Sequence, residues 1–207
     1  MDFPEIRFEM DLSEQSKFLT QNIMRQINFI YAKALTLTAK DCQERVRGQL
    51  PYRFTIRNSW VSKGIQIEPA TKTRLVSIVG VRDDFMEIQN EGGTKLPKRS
   101  KTIAIPQKDL RPNERQIIKI SQRPKRLLHA TKGKQKPFVL PVKVKGASVI
   151  VRRQGPERTP LDFLYFLEPQ TKIKERFGFE ETVKETAEKS FPKRFEEVFN
   201  QTAGVEL

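Results

Sequence analysis

From about Ser13 to Leu50 a single helical period runs without a break, and a helix of that length limits what the rest of the chain can build around it. Apolar or small residues recur at Leu19, Ile23, Ile27, Ile30, Tyr31, Ala34, Leu35, Thr38, Cys42 and Val46, the three-four spacing of a helix with one buried stripe. No Gly or Pro interrupts the run before Gly48. Ser13, with Glu14 behind it, is the expected N-cap. Pro51 is the expected stop. In a chain of 207 residues, such a helix has to lay its stripe across a sheet or against a neighbouring subunit.

The sequence after Pro51 supplies the sheet. Residues 60–70, WVSKGIQIEPA, alternate, with Ile65 and Ile67 on one face, and residues 73–82, TRLVSIVGVR, are rich in β-branched residues. The turn residues between them predict an antiparallel hairpin. DDFMEIQNEGG predicts one helical turn closed by Gly92, and residues 101–106, KTIAIP, a short extended piece. A second hairpin is expected around Gly146, between PFVLPVKVKG and ASVIVRRQG, followed by a strand over 159–169, TPLDFLYFLEP. The end of the chain is an amphipathic helix with Phe179, Val183, Ala187, Phe191, Phe195, Val198, Phe199 and Thr202 on one face. Pro192 is expected to kink it, or to start a second segment capped by Ser190. These elements predict an α+β fold over residues 1–207: a single domain in which a long N-terminal helix and a C-terminal amphipathic helix pack on a mainly antiparallel sheet.

Charge sets one region apart. The chain carries a formal net charge of +14, yet residues 92–153 alone hold 18 Lys and Arg against two acids, Asp109 and Glu114. The remainder is close to neutral. Within that region, residues 107–136 are poor in apolar side chains and broken by Pro112 and Pro124. NERQIIKISQ is expected to form a short helix near Asn113, and KRLLHATKGKQK an exposed tip. The stretch at about 95–136 therefore reads as a basic loop or arm inserted in the domain. Concentrated positive charge favours a polyanion or an acidic protein surface. Its candidate contacts are Lys98, Arg99, Lys101, Arg123, Lys125, Arg126, Lys132, Lys134 and Lys136. The plainer reading is a solvated loop that keeps the protein in solution.

No residues assemble into an enzyme, and no cofactor or metal is expected. The Gly92-Gly93-Thr94-Lys95 sequence lacks the Lys-Ser/Thr pair of a phosphate loop, and Pro97 follows almost at once. His129 has no carboxylate partner in view. Cys42 lies on the apolar stripe, where an inert buried thiol is expected; a lone cysteine also rules out an internal disulfide. Asp83 and Asp84 suit a helix cap as well as a metal. PYRFTIRNSWV interleaves Tyr52, Phe54 and Trp60 with Arg53 and Arg57, a composition typical of protein interfaces and also of base-stacking surfaces. No run is long enough to span a membrane. The acidic start MDFPEIRFEMDL lacks a signal-peptide core, so folding in the cytoplasm is expected.

Several of these segments together resemble a known family. The helix with Ala34-Leu35 and Thr38-Ala39, then Pro51-Tyr52, Thr55, Arg57, Ser59 and Val61, is similar to the opening of phage tail-completion proteins, the minor tail protein Z group of lambda-like phages. Pro69-Ala70-Thr71-Lys72 resembles that family's hairpin signature, and residues 89–95, QNEGGTK, its Glu-Gly-Gly-Thr loop. IAIP resembles a Val-Pro element that follows, and Phe191-Pro192 with Phe195 its closing helix. The resemblance implies a structural virion protein of the tail and neck, assembled in the host cytoplasm. It implies a homo-oligomeric, six-fold ring that completes the tail end and joins it to the head, touching the tail terminator or tail tube and the head connector. Its subunit interface is then expected at Tyr52, Phe54, Arg57, Trp60, Glu91, Gly92, Gly93 and Thr94, and the basic arm is expected near phage DNA or an acidic partner. The alternative is a basic nucleic-acid-binding protein of ordinary cellular type.

Overall fold

The computed structural model describes residues 6–9, 21–110, 113, 116–129, 136–144 and 146–203. The fold is α+β, with a long N-terminal helix, a C-terminal helix and antiparallel sheets. Where the sequence suggested one domain bearing an arm, the chain divides into two compact units: residues 1–91 with 175–207, and residues 92–174.

The first unit is built on helix α1, Gln21–Arg53. Its stripe is buried from Ile30 on: Ile30, Ala34, Leu35, Thr38, Cys42 and Val46 are buried, joined by Ala39 and Leu50, while Ile27 and Tyr31 are half-buried. Leu19 and the side chain of Ile23 lie outside what is described. The expected cap at Ser13 and Glu14 lies outside the described residues. Pro51 does not stop the helix, which continues to Arg53, with the Phe54 N–H bonded to the Leu50 carbonyl. Pro51 is exposed in the last turn, so the one N–H it lacks costs little there.

Residues 60–64, expected as strand, form the short helix α2, Trp60–Gly64. Strand β2, Ile65–Glu68, follows and pairs antiparallel with β3, Val76–Val81, Ile65 opposite Val81. β1, Ile6–Glu9, pairs with the other edge of β3. A 3-10 turn, Asp84–Met86, and helix α3, Glu87–Glu91, lead out of the sheet. Helix α5, Phe179–Ala203, closes the unit; the short α4, Pro124–Leu128, lies in the second unit. Ala39, Cys42, Val46 and Leu50 of α1 meet Ile65, Val79, Val81 and Met86 on the sheet side. Phe177, Phe179, Val183 and Ala187 complete the core from the α5 side.

Pro192 neither breaks α5 nor starts a new segment: the helix runs through it. Pro192 and Glu188, whose carbonyl loses its partner, both face solvent. The Ser190 hydroxyl donates to the Asp41 carboxylate instead of capping a helix.

The second unit contains two sheets. β4, Gly93–Lys95, pairs with β9, Thr171–Ile173. Four antiparallel strands form the larger sheet in the order β5, β8, β7, β6: Ile103–Pro106, Leu161–Glu168, Ser148–Arg153 and Phe138–Pro141. The β6–β7 turn carries Gly146 at φ 79°, the left-handed backbone that glycine adopts without strain. A bulge interrupts β7–β8: Ile150 faces Tyr165 but Val151 faces Phe163, so Leu164 is the extra residue. Phe163 and Phe166 therefore share one face with Phe138, while Tyr165 and Ile150 lie on the other.

Candidate functional site

The aromatic segment after α1 splits in two. Phe54 turns inward: it packs against the core, edge-on to Phe177 at 6.1 Å, with the Arg176 guanidinium 6.0 Å above its ring. Half-buried, it belongs to the edge of the core rather than to a free surface. Tyr52 is 91% exposed and Trp60 63% exposed, and Arg57 is exposed as well. Trp60 is not isolated. Its ring lies 5.9 Å from that of Phe85, which is also exposed. Nothing in the sequence marks this partner, because Phe85 sits in a 3-10 turn with no periodicity of its own.

The Gly-Gly stretch is a structural joint. Glu91 ends α3, Gly92 and Gly93 take φ of 73° and 127°, and Thr94 pairs with Lys172 in the β4–β9 ladder. A strand follows the glycines, so no helix N-terminus is presented to a phosphate. The residues just before the glycines hold the start of α5. The Asn90 side-chain oxygen accepts from the Phe179 N–H at 2.8 Å, and the Gln89 carbonyl accepts from Arg176 and Phe177. Asn90 thus caps a helix 89 residues away in sequence. Arg53 adds a clamp at the same place by donating to the Phe177 carbonyl. Gly178 at φ 52° leaves room for that guanidinium, and a Cβ there would collide with it.

The described residues 108–110 and 116–128 of the basic stretch pack on a sheet where the sequence suggests an arm. Residues 116–119 are not helical; the ordered pieces are 3-10 turns at Lys108–Leu110 and Ile120–Gln122 and helix α4, Pro124–Leu128. Leu110, Ile118, Leu127 and Leu128 pack on Ile150, Leu164 and Tyr165, covering one face of the larger sheet. The Tyr165 hydroxyl donates to the Gln122 carbonyl at 2.9 Å. Arg123, Lys125 and Arg126 are exposed on this layer; Lys98, Arg99, Lys101 and Lys136 are exposed elsewhere in the unit. Lys132 and Lys134 lie outside the described residues. The second unit holds 21 Lys and Arg against 5 Asp and Glu, the first 18 against 20.

The remaining polar candidates have structural settings. Asp83 is buried at the start of its 3-10 turn, but its side chain makes no cap bond, and Oδ2 has no hydrogen-bond partner. A Cβ on residue 64 would lie 2.4 Å from that oxygen, which makes Gly64 necessary to the fit. Cys42 is buried, its Sγ 3.6 Å from the Val183 carbonyl, and burial, helped by the charge of Asp41, pushes its thiol up to about 12. His129 is exposed at the end of α4. Among the described residues no three His, Cys, Asp or Glu side chains are placed to share a metal ion, and no helix is long and apolar enough to cross a membrane.

Between α1 and α5 lies a polar network invisible in the sequence. Arg194 donates to both carboxylate oxygens of Asp41, at 2.8 and 2.7 Å, and to Glu197 at 2.8 Å. The Arg194 hydrogen bonds, with help from Ser190, hold the Asp41 carboxyl below its ordinary range. Comparison of the chain with protein-family models, curated proteins and solved structures finds no match in any of the three.

Proposed function

We propose that this chain is a structural subunit of a tailed-phage neck, a tail-completion protein that works by self-assembly and docking without catalysing a reaction. The observation that carries the reading is the exposure of large aromatic side chains on the first unit, Tyr52 and the Trp60–Phe85 pair. Aromatic side chains bury on the order of 150–250 Å² each when covered, so leaving Tyr and Trp in water forgoes substantial stabilisation that a partner would recover. The occupant is a second copy of the chain. In a ring, one surface of each subunit meets a different surface of the next, and repetition closes the contact.

The motifs that resemble the tail-completion family support the same reading, because they serve architecture. Ala34, Leu35, Thr38 and Ala39 are the buried stripe of α1, and Gln89 to Thr94 join α3, α5 and the β4 ladder. In the assembled virion the ring docks on the tail terminator or tail tube on one side and on the head connector on the other.

Light scattering of the purified chain at two salt concentrations tests the assembly. A discrete ring-sized oligomer that survives high salt is expected, since apolar contacts are not screened. Trp60→Ala is expected to shift it toward monomer. A chain that stays monomeric and fails to join tail tubes on mixing overturns the reading.

A further inference from the structure

We propose that the outer surface of the layer over the Tyr165 face, built by residues 108–110 and 116–128, binds the phosphate backbone of duplex DNA. Lys108, Lys119, Arg123, Lys125 and Arg126 are all exposed on it. None of them takes part in the ion pairs found among the described residues. Asp109 is the only acid among the described residues of 92–153. A folded protein normally intersperses charges of opposite sign, because a one-signed surface repels itself. Here the repulsion is left standing.

A solvated tether is the usual fate of such a run, and this one is held down. Leu110, Ile118, Leu127 and Leu128 seat it on the sheet, and the Tyr165 hydroxyl ties the turn before α4. The cations are therefore held in fixed relative positions before any partner arrives, which lowers the ordering cost of binding. Arg and Lys on a fixed surface suit evenly spaced phosphates, whose neutralisation releases counterions.

The choice of duplex follows from where the aromatics are. Single strands are gripped by stacking bases on exposed rings. No aromatic residue lies between 108 and 128, and the large exposed apolar residues there, Ile117 and Ile120, are aliphatic. Phe138, Phe163 and Phe166 lie on the opposite face of the sheet. The layer offers charge without stacking, which is the chemistry of backbone contact. This proposal goes beyond the neck reading and does not rest on it. Duplex binding reports on the cations of the second unit, whereas the light-scattering result reports on the aromatics of the first.

The test is fluorescence anisotropy of a labelled duplex of arbitrary sequence, titrated with the full chain over a range of salt. Binding is expected to weaken linearly in log-log form with salt. In R123E/K125E/R126E the slope is expected to fall by about three and the affinity at moderate salt by roughly tenfold or more. R123Q/K125Q/R126Q, which keeps strong helix formers, provides the same loss if the Glu variant fails to fold. The control K40E/K184E/K193E makes the same change in net charge on exposed residues of the first unit and is expected to stay within about twofold of the parent. Absence of duplex binding, an unchanged slope in both layer variants, or an equal loss in the control overturns the proposal. So does polyglutamate that displaces the duplex at equal charge concentration, which would make an acidic protein the partner.

Discussion

The two units solve the problem of folding a polar chain in opposite ways. The first concentrates apolar residues on two long helices, buries them against a three-stranded sheet, and pairs its charges: Arg194 with Asp41 and Glu197, Lys189 with Glu185. The second has a much smaller buried centre, Leu110, Ile150, Leu164 and Tyr165, and leaves most of its cations unopposed. Its cover layer is held by a few spaced aliphatic side chains while the residues between them carry the charge. A segment can thus be highly charged in composition and still be part of a packed layer, provided enough of its apolar residues reach the same sheet face.

The sharpest way to break this contrast is to empty each core in turn. Phe179 is fully buried, stacked on Phe177 at 5.5 Å, and its N–H is held by Asn90. Phe179→Ala is expected to destabilise the chain by about 3–5 kcal/mol in urea unfolding. Leu164→Ala removes the bulged residue from the smaller core of the second unit, and a loss of about 2–3 kcal/mol is expected, the low end for such a change. If Leu164→Ala costs as much as Phe179→Ala, the second core is more demanding than its size suggests.

These two sites also mark what was legible in the sequence. Phe179 sits in a run with helical spacing, and the stripes of α1 and α5 and the β2–β3 hairpin were all visible as periods. Leu164 lies in a segment that the sequence marks as a strand, but the strand alternation hides the bulge that turns both Leu164 and Tyr165 inward. The cover layer reads as an arm in the sequence because Leu110, Ile118, Leu127 and Leu128 follow no period; only the sheet they meet reveals their common face. Pro51 is expected to stop its helix and Pro192 to kink its helix or start a second segment, yet both stand on solvent-facing turns that tolerate the missing bond. Of the candidate interface residues, Tyr52 and Trp60 are exposed, while the inward turn of Phe54 depends on its contact with Phe177. The Asn90 cap, outside that set, depends on Phe179.

Salt sharpens the comparison of charge. Screening relieves like-charge repulsion in the second unit and weakens ion pairs in the first. Leu164→Ala is therefore expected to be partly rescued as salt rises from low to physiological strength, by about 1 kcal/mol, whereas Phe179→Ala is not. Urea midpoints of both variants at two salt concentrations read the difference; equal rescue would remove the electrostatic distinction between the units.

The ion pair of the first unit gives an effect of similar size. Asp41 has a lowered folded pKa, so its contribution is fully present above the ordinary carboxylate range and is lost as pH falls through that range toward the lower folded value. Asp41→Asn is expected to cost about 1 kcal/mol at neutral pH, given the partial exposure of Arg194. It is also expected to flatten the acid limb of the stability curve. An unchanged acid limb would mean that the network does not hold α1 to α5.

The smallest effect expected is at the tie between sheet and cover layer. Tyr165→Phe keeps the ring buried against Ile150 and Leu110 but removes the donor to the Gln122 carbonyl. Gln122 is only half-buried, so water can take the place of the hydroxyl and the loss is expected to be about 0.5–1 kcal/mol. The informative readout is hydrogen exchange of the α4 amides. If the hydroxyl fixes the layer, protection of Leu127 and His129, whose N–H groups bond to the Arg123 and Lys125 carbonyls, falls more than protection in β7. If protection falls equally in both, the layer and the sheet open as one unit, and the aliphatic seats alone are what keep the cations in place.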